Sequence, residues 1–350
     1  MNTARLRQSD RLLEVLSPHD DVVVVTHDNP DPDALASGWA ILRLVEAKLG
    51  KNARLLGGGD IVRAENRHMV RLLDVPIELV ADAQLPHRAA TVLVDCGSSA
   101  THHLVARNGL RPLAIIDHHG TSRRSDGTPF GDVRPRAAAC SSIVVSYLRE
   151  QELDVGPALA TALLFAIRTE TRGYEICYSR LDKAATVWLT ERADLSQLAE
   201  IENAPLGREY FDNLVLALQN TFLYGEAAFC LLPRAHSPEI VGEVADLLIR
   251  YEGVKHVLCG AVIRRDLLVS VRTQTGGDDA TELVRATLAG LGHGGGHQHR
   301  AGGKVINITR GRKVPEDLEE TLRGRWLAAC GVRRRRGTRL IPPRDILHNL

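Results

Sequence analysis

The chain has 350 residues, 44% of them hydrophobic and 25% charged, with a formal net charge of +1. That balance is ordinary for a soluble globular protein and gives no overall pull toward a polyanion or a membrane surface. Aromatic residues, at 4%, are too few for an extended stacking platform for single-stranded nucleic acid. The length favours two domains. A short amphipathic start at residues 11–16 precedes an apolar run at 22–26, which reads as a buried strand. The run ends in HDNPDPDALAS, too rich in Asp, Asn and Pro for strand or helix. Residues 34–49 then predict a helix stopped by Gly50. Short apolar strands follow at 54–56, 77–80, 91–94 and 113–116, separated by helical or polar stretches. This alternation predicts an α/β fold with a parallel, doubly wound sheet.

Helical patterns occupy 139–150 and 157–167, then a long region from 182 to about 223. A second, smaller α/β unit begins near Ala227, with strands at 228–232, 256–263 and 267–272 and helices at 239–251 and 279–291. A glycine-rich loop and a last strand at 304–309 complete it, and from Gly311 the chain is polar and basic, with arginines at 333–336. That end reads as a solvated tail. The cysteines (Cys96, Cys140, Cys177, Cys230, Cys259 and Cys330) form no C-x-x-C pair and fall mostly in apolar runs, as reduced, buried thiols do. The N-terminal MNTARLRQSD lacks the apolar core of a signal peptide, and no stretch is long and apolar enough to span a bilayer. The expectation is a cytoplasmic protein with no membrane partner.

Three of the apolar strands end in ionisable residues. The first leads to His27, Asp31 and Asp33, the second to Asp95, and the third to Asp117, His118 and His119. Ligands of open α/β sheets bind just beyond the carboxyl ends of the strands, so these ends would converge on one small volume. Each Asp alone would be an ordinary turn or helix-capping residue. Four carboxylates together would repel one another, and divalent cations remove that conflict. Imidazole mixed with carboxylate, without thiolate, favours two manganese ions, with magnesium or cobalt as substitutes. Two such ions are suited to in-line phosphoryl displacement.

The D-H-H at 117–119, the H-x-x-x-D-x-D at 27–33 and the strand-end Asp95 resemble the first three motifs of the DHH phosphoesterases. AIRTETRG at 166–173 resembles the fourth, with Glu170 where that family often has a metal-binding Asp, and GHGGGHQHRAGG at 292–303 resembles the loop of its associated C-terminal domain. The resemblance covers about residues 20–310 and is closest to the nanoRNase and pAp-phosphatase type. It implies a catalytic domain over 1–190, a helical linker over 191–225, a substrate-binding domain over 226–312 and a basic extension over 313–350. It implies that His27 and Asp31 bind one metal, Asp33 and His118 the other, and that Asp95 bridges them. His119 would contact the scissile phosphate, with Asp117 orienting the histidine pair. Glu170 would be a further ligand, or else pair with Arg168 or Arg172.

The glycines Gly294, Gly295 and Gly296 would let backbone N–H groups approach an anion, with His297, His299 and Arg300 adding donors. Arg272, at a strand end, would fork onto a phosphate. The expected reaction is hydrolysis of phosphodiester or terminal phosphate bonds in short oligonucleotides, linear dinucleotides or pAp, with a homodimer as the candidate assembly. The alternatives are an inorganic pyrophosphatase and a nucleotide-binding regulatory protein weakened by Glu170.

Overall fold

The computed structural model describes residues 7–81, 85, 89–97, 100–119, 127–173, 178–235, 237–296, 298–308, 313–333 and 336–342. The chain divides into two compact units, Met1–Pro205 and Leu206–Leu350. The division falls inside the stretch expected to be a linker.

In the first unit the elements run α1 (Gln8–Leu16), β1 (Val22–Val25), α2 (Pro32–Leu49), β2 (Ala53–Gly57), α3 (Ala64–Leu72), β3 (Ile77–Leu79), β4 (Ala90–Val94) and α4 (Leu104–Arg107). They continue with β5 (Ala114–Asp117), β6 (Phe130–Val133), α5 (Cys140–Glu150), α6 (Pro157–Glu170), α7 (Arg180–Thr190) and α8 (Leu195–Glu202). The strands form one parallel six-stranded sheet in the order β3-β2-β1-β4-β5-β6. Parallel strands covered on both faces become continuous apolar runs, and β1 (VVVV) and β4 (ATVLV) are buried throughout. Val22, Val24, Val92 and Ile116 face a core shared with α2, α5 and α6. Val23, Val25, Leu93 and Ile115 face a smaller cluster that includes Leu104 and Val105 of α4. The strand order reverses between β1 and β4, and such a switch point opens a crevice at the carboxyl ends of the strands.

Helix α2 starts with Pro32 in its first turn and Asp31 as N-cap, and it ends at the left-handed Gly50. At Gly38 a Cβ would meet Leu55 Cδ1 at 2.5 Å, so the glycine lets α2 rest on β2 without displacing the Leu55 side chain.

The second unit runs α9 (Arg208–Asn220), β7 (Thr221–Tyr224), β8 (Ala227–Leu232), α10 (Glu239–Leu248), β9 (His256–Ile263), β10 (Asp266–Thr273), α11 (Ala280–Leu288), β11 (His293–Gly296), β12 (Arg300–Val305), α12 (Glu316–Ala329) and β13 (Thr338–Arg339). Its seven-stranded mixed sheet has the order β11-β12-β10-β9-β8-β7-β13.

The long helical region expected from 182 to 223 is three helices, broken where Asp194 caps α8 and again before Gly207 caps α9, and its end is strand β7. The end expected to be a solvated tail contributes α12 and β13. Trp326 is fully buried beside Leu322 and donates Nε1–H to Ala228 O at 3.2 Å, and β13 pairs with β7. Arg334 and Arg335 lie outside the described residues. The glycine-rich segment is a hairpin, in which Gly294 pairs with Gly303 and Gly295 with Gly302. A Cβ at Gly303 would lie 2.3 Å from Leu288 Cδ1, and one at Gly294 2.8 Å from Val284 Cγ1. These two glycines therefore admit the close approach of α11. Among the described residues Cys96, Cys140, Cys230 and Cys259 are free and buried and Cys330 is free and half-buried; Cys177 lies outside them.

Candidate metal centre

Strands β1, β4 and β5 are sheet neighbours, and their carboxyl ends bring His27, Asp95 and the Asp117–His119 triplet together. His27 Nδ1 is 2.8 Å from Asp28 O. A carbonyl only accepts, so Nδ1 carries the proton and Nε2 is presented as a lone-pair donor, the arrangement of a metal-binding imidazole. Nε2 lies 3.9 Å from Asp31 Oδ1 and 3.8 Å from Asp95 Oδ2. Asp31 Oδ1 also accepts from Asp33 N and Ala34 N, 3.0 Å each, so the capping role and a place beside His27 coexist in one side chain.

Asp95 follows β4 in the left-handed region, φ 58°, its N–H bonded to Ile116 O at 2.9 Å. Strained backbone of this kind collects at functional sites. The residue is 3% exposed, and its Oδ1 is buried without a hydrogen-bond donor. His118 mirrors His27: Nδ1 faces Ala137 O at 3.3 Å, while Nε2 is 3.3 Å from Asp95 Oδ1 and 3.8 Å from Asp33 Oδ2. Asp33 accepts from Cys140 N at 2.6 Å and Ser141 N at 2.7 Å. Asp117, fully buried, accepts through Oδ1 from His118 N, His119 N and His119 Nδ1 at 2.7, 3.1 and 2.7 Å. It thereby fixes both histidines of the triplet.

Two groups of potential ligand atoms result, His27–Asp31–Asp95 and Asp95–His118–His119, each within 4.8 Å of one another, and Asp95 belongs to both. Asp33 stands beside the second group with its oxygens also turned to the first turn of α5. The electrostatics agree with a cation-seeking site. Burial, then Asp33 and Asp31, push the Asp95 carboxyl well above its ordinary value, and burial raises Asp33 as well. Burial alone would lower His118, but Asp33, Glu170 and Asp117 outweigh it and the ring is raised; for His119 the bond to Asp117 and the charge of Asp95 do the same. Orphaned buried carboxylate oxygen, oriented imidazoles and the absence of thiolate fit divalent metal ions of the harder kind.

Glu170 is the last residue of α6, near enough to act on His118, while Arg168 donates Nε–H to Glu202 at 2.5 Å. The sequence reading passed over His102 and His103. The His102 ring meets that of His27 edge-on, centroids 6.2 Å apart, and His103 accepts from Ala106 N and caps α4. Asp28, beside His27, is held by Arg107 at 2.5 Å. The adjacent histidines of THH, shortly after DCGSS, were the available signal.

In the second unit, Arg272 is buried and already bonded. Its Nε donates to Asp246 Oδ1 at 2.6 Å, Nη2 to Asp246 Oδ2 at 3.4 Å and Nη1 to Ser270 Oγ at 2.7 Å. Arg300, its register partner on β12, reaches Asp246 at 3.5 Å and keeps a buried Nε without a partner. His299 Nδ1 is 3.4 Å from Thr273 Oγ1. Gly294, Gly295 and Gly296 lie in β11, and His297 lies outside the described residues.

Residues 21–167 match the DHH family N-terminal domain. The first unit carries a DHH-family domain. An uncharacterized Methanocaldococcus jannaschii protein is 29% identical over 318 residues, covering 89% of this chain and 64% of that one. The bifunctional oligoribonuclease and PAP phosphatase of Thermus thermophilus is 27% identical, covering 78% of this chain and 81% of that one. The cyclic-di-AMP phosphodiesterase PdeA of Listeria monocytogenes is 22% identical, covering 86% and 47%. The chain spans 64%, 35%, 47% and 49% of the first four curated relatives' lengths. An exopolyphosphatase-related protein from Bacteroides fragilis shares the fold, with a TM-score of 0.71 at 14% identity, covering 94% of this chain and 98% of that one. No helix among the described residues is long and apolar enough to cross a membrane.

Proposed function

We propose that the protein is a two-metal phosphoesterase, loaded with manganese, that hydrolyses phosphodiester or terminal phosphate bonds of short oligonucleotides, linear dinucleotides or pAp. The observation that carries this is the pair of ligand groups sharing Asp95. His27 and Asp31 would hold one ion, His118 with Asp33 the other, and Asp95 would bridge; Glu170 is a further ligand candidate for the second. When bound, such ions acidify water and neutralise charge on a phosphoryl group.

The chain's own residues supply the rest. Asp117 holds the Nδ1 proton of His119, and the other ring nitrogen would face the substrate. The Asp117 carboxylate bonded to Nδ1 would support positive charge on the His119 ring when it faces an anionic phosphate oxygen. In hydrolysis a water oxygen bonds to phosphorus and gives up a proton to solvent, the ester P–O bond breaks, and the leaving oxygen takes a proton, which His119 would donate. Arg300 and His299, with the β11 glycines, would bind phosphate, and Arg272 would reach it only by sharing or leaving Asp246.

Relatives named as an oligoribonuclease and PAP phosphatase and as a cyclic-di-AMP phosphodiesterase support a nucleotide substrate. A relative named as a probable manganese-dependent inorganic pyrophosphatase, 23% identical over 186 residues, supports pyrophosphate as the second reading. A turnover panel with manganese tests both, using dinucleotide RNA, a five-nucleotide RNA, linear and cyclic di-AMP, pAp and pyrophosphate. Release of mononucleotide or phosphate from the nucleotides is expected. Metal binding without turnover of any of them sinks the proposal and favours a regulatory protein weakened at Glu170.

A further inference from the structure

Asp182, in the first turn of α7, is fully buried. Its Oδ2 accepts from Ser179 N at 2.7 Å and Ser179 Oγ at 2.5 Å, and Ser179 Oγ accepts from Asp182 N at 3.3 Å. That exchange is a complete capping box. Capping does not require burial, and a buried carboxylate is costly unless donors surround it. Here a third donor is supplied from far along the chain: Ala138 N lies 3.1 Å from both carboxylate oxygens.

Ala138 belongs to a stretch, residues 137–141, three of whose polar backbone atoms bond to residues of the metal centre. The preceding carbonyl, Ala137 O, takes the Nδ1 proton of His118. Two and three residues further on, Cys140 N and Ser141 N donate to the two oxygens of Asp33. The peptide group between Ala137 and Ala138 thus takes the His118 proton on one side and is held by Asp182 on the other, and the same short segment leads into the two N–H groups that set the plane of the Asp33 carboxylate. His27 is oriented from elsewhere: its Nδ1 is bonded to Asp28 O, and Asp28 is held by Arg107 and by His102 O, none of which is bonded to Asp182.

We propose that Asp182 is a positioning residue for the half of the metal centre made by His118 and Asp33. The inference rests on the two-metal reading above. Ligand atoms must be held to tenths of an ångström, and partners behind the ligands typically change metal affinity by about 10- to 100-fold. Freeing the stretch at Ala138 weakens the ion held by His118 and Asp33 by about tenfold, the lower end of that range, and leaves the ion at His27 and Asp31 unchanged.

Manganese titration of the full chain, followed by electron paramagnetic resonance and calorimetry, reads the two affinities without any substrate. Asp182→Asn keeps size and burial but places an amide against the Ala138 and Ser179 donors; Asp182→Ala removes the acceptor. Leu189→Ala, a truncation at a fully buried position of the same helix, is the control for general loosening. The expected result is two manganese ions in the wild type and in Leu189→Ala, with one of the two affinities, that of the His118–Asp33 site, reduced selectively in both Asp182 variants. Equal weakening at both sites, equal weakening in Leu189→Ala, or unchanged affinities in Asp182→Asn overturns the positioning role alone. A wild type that binds no manganese overturns the metal reading and this inference with it.

Discussion

Replacing Asp95 by asparagine removes one negative charge from the point where the two ligand groups meet, and it changes little in volume. Metal-free and metal-loaded protein respond in opposite directions. The Asp31 and Asp95 oxygens lie within 4.8 Å of each other. Two unit charges about 5 Å apart repel by roughly 3 kcal/mol at an effective dielectric of 20. The Asp31 side chain is 42% exposed, so screening reduces that pair to about 1 kcal/mol. Asp33 and Asp117 also repel Asp95, and burial adds to the cost of its charge. At pH values where Asp95 is ionised, the metal-free variant is therefore expected to be more stable than wild type by about 1–3 kcal/mol, a few degrees in Tm for a unit of this size. Manganese at about 100 times its Kd stabilises the wild type by roughly 2.7 kcal/mol per site, and loss of the shared ligand removes most of that gain. Thermal melts with and without manganese, with bound metal counted by mass spectrometry, measure both. A metal-free variant less stable than wild type, or one retaining the full manganese shift, refutes the assignment of Asp95 as a bridging carboxylate.

Glu170→Gln is expected to weaken the ion beside His118 by about tenfold, read by manganese titration, and an unchanged affinity removes Glu170 from the ligand set. In metal-free protein the carboxyls of Asp33 and Asp95 and the rings of His118 and His119 all have raised folded values, so the folded state holds more protons than the unfolded chain. Their stabilising contribution is complete below the unfolded values and is lost as pH rises through the folded ones, for the histidines from about pH 6.5 upward. Urea unfolding should show metal-free stability falling from neutral to alkaline pH, with saturating manganese flattening the slope; a rising metal-free profile contradicts it. Trp326→Ala should cost about 3–5 kcal/mol in urea unfolding, from the buried ring and the stranded Ala228 carbonyl, against less than about 1 kcal/mol if α12 were a solvated tail.

The parts legible in the sequence were those in which burial leaves a compositional trace. β1, β4 and β5 are covered on both faces and therefore read as unbroken apolar runs, and polar residues at their ends could only belong to the crevice. β6 left no such trace, because its FGDV carries Asp132, a charge made tolerable by Arg134 at 2.7 Å and the Tyr147 hydroxyl at 2.6 Å, neither of them inferable from spacing. Helix α12 hides behind its charges: Leu322, Trp326 and Leu327 are buried, with Leu318 and Ala329 packed partly against the same core, and fourteen residues of EDLEETLRGRWLAA read as polar unless that narrow stripe is recognised. A glycine that admits a helix and one that cradles an anion are the same letter, so the β11–β12 hairpin could not be told from a loop. Arg272 was correctly placed at a strand end, but Asp246, on α10, is brought to it only by the tertiary fold.

The candidate metal centre divides along the same line. Its ligand types are side chains, and side chains are what a sequence spells out. Apart from Asp117, the groups that aim them are Asp28 O, Ala137 O, Cys140 N and Ser141 N, which are backbone atoms identical in every residue. A change of side chain at Ala137 or Cys140 would leave those bonds in place, whereas a change at Asp182, distant in sequence and a mere helix cap by its motif, would move the peptide that carries them. Substitutions that disable this centre should therefore fall into two sets: the ligands themselves, visible by type, and a few buried side chains such as Asp182 that hold the backbone behind the ligands, visible only once the chain is folded.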